Sequence, residues 1–470
     1  MHVKKPGLPT LSPGIPLNEL DKMFYSWELL GGRPFSRILF EFKGGHIDIG
    51  LLRQAYALEI KRRPVLNAII AEHPSGSGWD VRWMPRACTD EHPAVRLCDF
   101  SGMTAEAAEN KIQEILFDPF TDYSSRKNPP LSLALCTLPD GRQKLLAFIN
   151  HALTDAHGLG LIFQELFAAY TQLAAGLAPE VSECPDTGLP PSPLLPESRV
   201  KRWMLALGAL AFFAGQCIRT GFQGPAKLYS GKNSFSDATV AVQREIATQQ
   251  LNRYLAAAKR QGISLNVLLV AAQILAIDRW KQSRGEAAGV ISIDVHKNLR
   301  MVESEFLELS NKFSTFIIST LPRHRTRPKD LLQHVRREQE KALHDRTAEK
   351  IIYLLSLLNT RIAAKTVPLW GNFIFNNPAV GESSQVTNVG RLWAGTGTTT
   401  RITHLGDAEI SGCYMAAMPS PSIGNYSSFL TFSNRMYISF NYFKRTMTAA
   451  QGQQFMALFE KSLDDLANCT

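Results

Sequence analysis

Apolar and polar positions alternate along this chain with two different periods, and the alternation predicts its elements. Residues 37–43, Arg-Ile-Leu-Phe-Glu-Phe-Lys, read as a strand. Asp48 then caps a helical spacing of Leu51, Leu52, Ala55 and Leu58, which Pro64 stops. A second amphipathic stretch covers 105–116, and a strand follows over 131–138. The turn Pro139-Asp140-Gly141-Arg142 reverses the chain into a strand over 144–150 whose residues are almost all apolar, as for a strand buried on both faces. Helical spacing resumes over 159–173 before a proline-rich break at Pro185, Pro190, Pro191, Pro193 and Pro196. Beyond it the pattern predicts helices over 251–259, 265–280 and 328–342, and strands over 289–295 and 313–320. The last third adds strands near 373–375 and up to Thr387, a strand pair over 429–432 and 436–442, and a closing helix over 449–466. Each side of the break holds enough strands and helices for its own sheet, which predicts an α/β chain of two halves, 1–183 and 236–470, joined by a linker over 184–235.

One segment does not fit a globular rhythm. Residues 203–215 contain no polar side chain, and only Gln216 interrupts the run before Ile218. Sixteen helical residues cover about 24 Å, short of the roughly 30 Å of a hydrocarbon core. Arg199, Lys201, Arg202, Arg219 and Lys227 flank the run, so 203–218 reads either as a helix lying on an anionic membrane surface or as one packed against the protein.

Composition narrows the class. The 470 residues are 45% apolar and 20% charged, as in an ordinary folded chain. The net charge of +9 comes from dispersed basic residues and not from an aromatic-interleaved stripe, which argues against nucleic acid as the partner. Seven cysteines with no CxxC pair support neither a zinc site nor a disulfide framework, and a reducing compartment fits them. Pro6, Pro9, Pro13 and Pro16 interrupt the region where a signal peptide needs an apolar core, so the expected location is the cytoplasm, peripheral at the inner membrane surface under the first of the two readings of 203–218.

Chemistry concentrates at Ile149-Asn150-His151-Ala152-Leu153-Thr154-Asp155-Ala156-His157-Gly158, where an apolar strand ends and a helix begins. An imidazole titrating near 6.5 is the natural base for a hydroxyl or amine at neutral pH, provided its ring is oriented. Asp155 lies four residues on and can brace the loop through an arginine elsewhere, with or without touching His151. Helical spacing points His157 away from both, which disfavours a three-ligand metal site and suits capping or packing. No Gly-x-Ser-x-Gly, Walker loop or dinucleotide fingerprint is present.

His151-x-x-x-Asp155 resembles the HxxxDG signature of the chloramphenicol-acetyltransferase-like, coenzyme-A-dependent acyltransferases, which include condensation domains, wax ester synthases and plant acyltransferases. Arg63-Pro64-x-Leu66, Pro130-Leu131, the run Ser264-Leu265-Asn266-Val267 and the segments Asn298-Leu299-Arg300 and Leu309-Ser310-Asn311 are similar to the family in order. So are Thr387-Asn388-Val389-Gly390 and the strand at 437–442. The resemblance implies two α/β sandwich subdomains forming a pseudo-dimer with a channel between them, a monomer being sufficient. It implies His151 as general base, Asp155 as a structural carboxylate paired with Arg300, and Asn150, Gly158 and Asn388 as substrate-contacting positions; Asn388 suits either a hydrogen bond to a substrate carbonyl or a turn closure.

By the same resemblance no cofactor is permanently bound. An acyl-CoA or acyl-carrier-protein thioester is the co-substrate, and an alcohol or amine, lipid-like if the apolar segment is a guide, is the acceptor. Two departures stand out: Asn150 replaces a frequent histidine, and Ala156 replaces the glycine after the aspartate, with Gly158 two places later. Asp-Phe-Gly-Trp-Gly is missing, which sets the plant branch aside. Two other readings remain open: a carrier-dependent condensation-type enzyme, and an inactive relative that binds a carrier protein or lipid in the same channel.

Overall fold

A computed structural model of the chain describes residues 14–469 apart from 30, 76–77, 87–93, 118–123, 180–193, 195–197, 220, 222–223, 230–232, 235, 302–307, 354–381 and 394–401. The strand expected near 373–375 and most of the proline-rich break lie outside the described residues.

The first half runs β1 (Ile15–Pro16), α1 (Glu19–Leu29), β2 (Phe35–Lys43), α2 (Ile49–Arg62), β3 (Ala68–Ser75), β4 (Gly78–Pro85) and β5 (Val95–Asp99). It continues through α3 (Ala105–Phe117), β6 (Leu131–Thr137), β7 (Gln143–Asn150) and α4 (Ala156–Ala174). Asp48 caps α2 as the pattern requires, accepting a hydrogen bond from the Leu51 amide at 2.8 Å. The β6–β7 hairpin turns at Gly141, whose φ of +80° an L-residue rarely adopts. All eight residues of β7 are buried. One face of its sheet packs on α2 and α4 through Ile149, Leu145 and Phe163, and the other on α3 through Leu146, Phe148 and Ile112. Burial on both faces explains why the strand reads as an unbroken apolar run.

After α5 (Arg199–Arg219) the second half runs β8 (Thr239–Ile246), α6 (Thr248–Arg260), α7 (Leu265–Gln282), β9 (Ile291–Asn298), β10 (Phe313–Thr320), α8 (Pro328–His344) and β11 (Ser384–Arg391). β12 (His404–Leu405), β13 (Ala408–Ala417), β14 (Asn425–Phe432), β15 (Arg435–Phe443) and α9 (Ala449–Asn468) complete it. Its six-stranded sheet has the order β10-β9-β11-β14-β15-β8, with β11 parallel to both neighbours. Ile291, Ile293 and Val295 point into a core built on α7 and α9, so Asp294 and His296 fall on the opposite face of β9.

The halves are not independent in sequence. The first half's sheet has the order β12-β13-β2-β7-β6-β5, so the two strands at one of its edges come from residues 404–417. β13 pairs antiparallel with β2, Cys413 opposite Phe40 and Met415 opposite Ile38. This corrects the division at 236–470: the segment 404–417 lies in the other lobe's sheet, because a strand's partner is chosen by long-range packing. The apolar segment is also longer than its uncharged core suggests. α5 has 21 residues, beginning within the basic flank and ending on Arg219. Among the described residues no single helix is long and apolar enough to cross a membrane.

Candidate active site

The loop between β7 and α4 is fixed before any substrate arrives. The backbone amides of Asn150 and His151 donate to the Pro130 and Pro34 carbonyls at 2.8 and 2.6 Å, and the Leu153 amide to the Asn150 carbonyl at 2.9 Å. Asp155 is the N-cap of α4: its Oδ1 accepts from the amides of His157 at 3.0 Å and Gly158 at 3.2 Å. Ala156 simply starts the helix and is not among the residues of positive φ, so the missing glycine leaves the turn intact.

The same carboxylate reaches across to the second lobe. Arg300 donates from its two terminal nitrogens to Oδ2 and Oδ1 of Asp155 at 2.8 and 3.1 Å, and the Lys312 amide donates to Oδ2 at 2.9 Å. The Arg300 side chain is 1% exposed and also donates to the Ser310 carbonyl at 3.0 Å. Burial alone would raise the Asp155 pKa; the guanidinium and the amide donors outweigh it and hold the carboxyl below its usual 3.8. Asp155 and Arg300 form a buried ion pair, and the pair ties the two lobes together at the β7–α4 loop.

His151 is oriented by residues to which the sequence assigned no role. Phe24 of α1 stacks on the imidazole, with ring centroids 3.8 Å apart and planes 7° from parallel. Asn311 faces Nδ1, with Oδ1 at 3.1 Å, while its Nδ2 donates to the His151 carbonyl and to Asp21 Oδ1, both at 2.6 Å. A backbone carbonyl can only accept, so the NH2 end of Asn311 is fixed and its oxygen must be the atom facing the ring. Nδ1 then carries the proton, and Nε2 keeps its lone pair. Asp21, buried beneath this amide, is pushed up to about 7 by desolvation.

Desolvation also lowers the pKa of His151 from 6.5 to about 4, partly opposed by the nearby Asp155 charge. A base with a depressed pKa is neutral above that value and is lost as pH falls through it. In an NMR titration of the ligand-free protein, the His151 ring signals are expected to hold constant from pH 7 to about pH 5 and to move only on approach to 4. A midpoint near 6.5 would place the ring in water.

The ring borders a cavity of about 300 Å³ between the lobes. His151 and Ala156 form one wall, His296, Thr387 and Tyr426 the other, and Met415 of the crossing strand contributes to the lining. His296 is a second imidazole lowered to about 4 by desolvation, with Nδ1 2.9 Å from the Thr387 hydroxyl. Both histidines lie against Phe313, with ring centroids 5.7 Å and 5.3 Å away. The alternation Ser292, Asp294, His296 on β9 was the available signal for His296, legible only once the buried face of the strand is known.

The remaining candidates separate. Asn388 lines the cavity and also closes its own turn, its Oδ1 accepting from the Gly390 amide at 3.0 Å. Asn150 does not line the cavity: it is fully buried, donating to Glu28 Oε2 at 3.2 Å and accepting from the Ala152 amide at 2.8 Å. Gly158 does not line it either. A Cβ there would sit 2.0 Å from Thr154 Oγ1 and 3.0 Å from the Leu309 carbonyl, so the glycine lets the second lobe's backbone approach α4. His157 lies on the cavity wall with His151 instead of turning away from it. Among the described residues no cluster of His, Cys, Asp and Glu could hold a metal ion.

No family model matches the chain. Nonribosomal peptide synthetase 8 of Aspergillus fumigatus is 27% identical over 164 residues, which is 34% of this chain and 2% of that protein. AMB antimetabolite synthetase AmbE of Pseudomonas aeruginosa is 28% identical over 256 residues, 53% of this chain and 11% of that protein. The chain thus matches a small part of the length of these relatives. Among solved structures, the first condensation domain of the CDA synthetase superposes with a TM-score of 0.64 at 14% identity, covering 96% of each chain. The trichothecene 15-O-acetyltransferase of Fusarium sporotrichioides gives 0.70 at 9% identity, covering 96% of this chain and 95% of its own. The wax ester synthase/diacylglycerol acyltransferase of Marinobacter aquaeolei VT8 gives 0.57 at 16%, covering 96% and 98%.

Proposed function

From the chloramphenicol-acetyltransferase-like fold of this chain, shared with condensation domains and acyltransferases, we propose that it transfers an acyl group from a coenzyme A or carrier-protein thioester to an alcohol or amine. The observation that carries the reading is the His151 ring at the border of the interlobe cavity, with its Nδ1 facing Oδ1 of Asn311.

Nε2 takes the proton of the acceptor as its oxygen or nitrogen attacks the thioester carbonyl. The tetrahedral intermediate collapses with cleavage of the C–S bond, and the departing thiolate takes back the proton from the imidazolium. An ester or amide and a free thiol result, with no covalent acyl-enzyme. Because Oδ1 of Asn388 is engaged by Gly390, its NH2 group is the end left to donate to the thioester oxygen as charge develops there. Asp155 stays an ion pair with Arg300 and takes no proton; its charge steadies the imidazolium at a distance.

A carrier-dependent condensation reading is favoured by one observation, that the matching relatives at 27% and 28% identity are peptide and antimetabolite synthetases. The inactive-relative reading loses its motive, since the turn at Ala156 keeps its cap. The experiment is mass spectrometry of products after incubation with acyl thioesters, free and carrier-bound, and a mixture of alcohols and amines. Acylated acceptor is expected, and it disappears with the thioester. Product from carrier-bound donors alone assigns the condensation reading, and absence of product from every donor overturns both.

A further inference from the structure

The wall that faces His151 carries a second imidazole for which the mechanism above has no task. β9 and β11 run parallel, with Asp294 opposite Gln385 and Val295 opposite Val386, so His296 and Thr387 fall side by side on the next row. On β14, Tyr426 lies opposite Gln385, and its ring packs on His296 with centroids 5.7 Å apart. All three side chains line the cavity.

This wall always has one hydrogen to offer. Nδ1 of His296 is 2.9 Å from the Thr387 hydroxyl, and Tyr426 hydrogen-bonds to the same hydroxyl. The three groups hold three hydrogens, one N–H and two O–H, and their two links consume two of them. One is left over whichever way the links run. A phenol is the strongest donor of the three and an imidazole nitrogen the strongest acceptor, so the favoured run is Tyr426 O–H to Thr387 and Thr387 O–H to Nδ1. The remaining hydrogen then sits on Nε2 of His296, which has no partner among the described residues. Burial holds the imidazole neutral, lowering it to about 4, and raises the phenol of Tyr426, so the chain is uncharged at pH 7. The two imidazoles are opposite tautomers: His151 presents a lone pair and His296 an N–H.

A neutral donor on a desolvated wall calls for an oxygen. The cavity of about 300 Å³ is at the small end for a ligand pocket, and both rings lie against Phe313, so groups that react at His151 also meet His296. The acceptor's proton goes to His151; the oxygen still in want of donors is that of the thioester carbonyl. Other cationic groups on the lining are less suited. Arg300 is taken up by Asp155, Lys297 lies 3.9 Å from Glu349, and Arg391 is exposed. We propose that His296, oriented through Thr387 and Tyr426, is a further catalytic residue that donates from Nε2 to the thioester carbonyl oxygen, beside the Asn388 amide. The assignment rests on the acyl-transfer reading. Both hydrogen bonds persist and strengthen in the tetrahedral intermediate, and no proton leaves His296.

The test observes the carbonyl itself. Octanoyl-CoA labelled with carbon-13 at the carbonyl is mixed with the full chain without acceptor, and its C=O stretch is followed by isotope-edited infrared spectroscopy. Binding is expected to move the band to lower frequency, as for a carbonyl that accepts hydrogen bonds. His296→Phe, which keeps a flat ring beside Phe313 and removes the donor, is expected to reverse part of that shift. With acceptor present, H296F is expected to lower kcat about 10²- to 10³-fold with KM nearly unchanged. H296Q, which keeps an N–H, should recover part of the loss. Urea midpoints near that of the parent show that each variant is folded. A band that does not move when protein is added overturns the proposal, as does a shift that H296F leaves whole or a loss confined to KM. Equal kcat in H296F and the parent also overturns it and leaves acyl transfer standing. The band needs no turnover, so a shift that H296F reverses upholds the contact even where no acceptor is acylated, an outcome that removes the acyl-transfer reading alone.

Discussion

Replacing His151 by Ala is expected to lower kcat by about 10² to 10⁴-fold, the range typical for removal of a positioned general base. KM should change little, because the ring borders a wide cavity and is not the group that encloses the acyl chain. The protein should remain folded: the imidazole is held by Phe24 on one side and Asn311 on another, and neither partner loses a buried charge. Single-turnover rates measured with the most active thioester, together with a urea midpoint close to that of the parent, check both halves of the expectation. An unchanged rate removes His151 from the chemistry, and the proposed mechanism with it.

The second large effect is expected at Arg300, and it is one of stability. Arg300→Met leaves the Asp155 carboxylate buried with its backbone donors but without its counter-charge. Breaking such a pair from one side costs about 3–5 kcal/mol. Asp155→Asn should cost a similar amount by stranding the guanidinium, and the double variant should recover part of the loss, which a double-mutant cycle in urea measures. The sign with pH follows from the carboxyl being held below 3.8. Its contribution is complete above the unfolded value and is lost as pH falls through the folded one, so the deficit of Arg300→Met at pH 7 should narrow in acid. A deficit below about 1 kcal/mol would mean that the pair carries no structural load.

The parts of this site that sequence could supply are the local ones. The β6–β7 hairpin, the strand buried on both faces and the His151-x-x-x-Asp155 turn depend on neighbours within a few residues, and periodicity with turn chemistry reads such features directly. Arg300 was reachable only through resemblance, 145 positions from its partner. Asn311 was read only as the end of a family-like segment with no role, and Asp21 was not reached at all; they lie 160 and 290 positions from the groups they hold. Asn150 and Gly158 show the opposite error. Their place in the motif suggested substrate contact, but their roles are set by Glu28 and Leu309, which arrive from distant segments and leave one residue no freedom to turn and the other no room for a side chain.

The loan of β13 to the first lobe has a mechanical consequence. Since the strand lies hydrogen-bonded along β2 while its continuation into β14 belongs to the other sheet, the lobes are clasped like two links of a chain, and cutting the polypeptide between them would not by itself let them part. Any widening of the interlobe cavity is then expected as a pivot about that clasp, with the end near Met415 moving least.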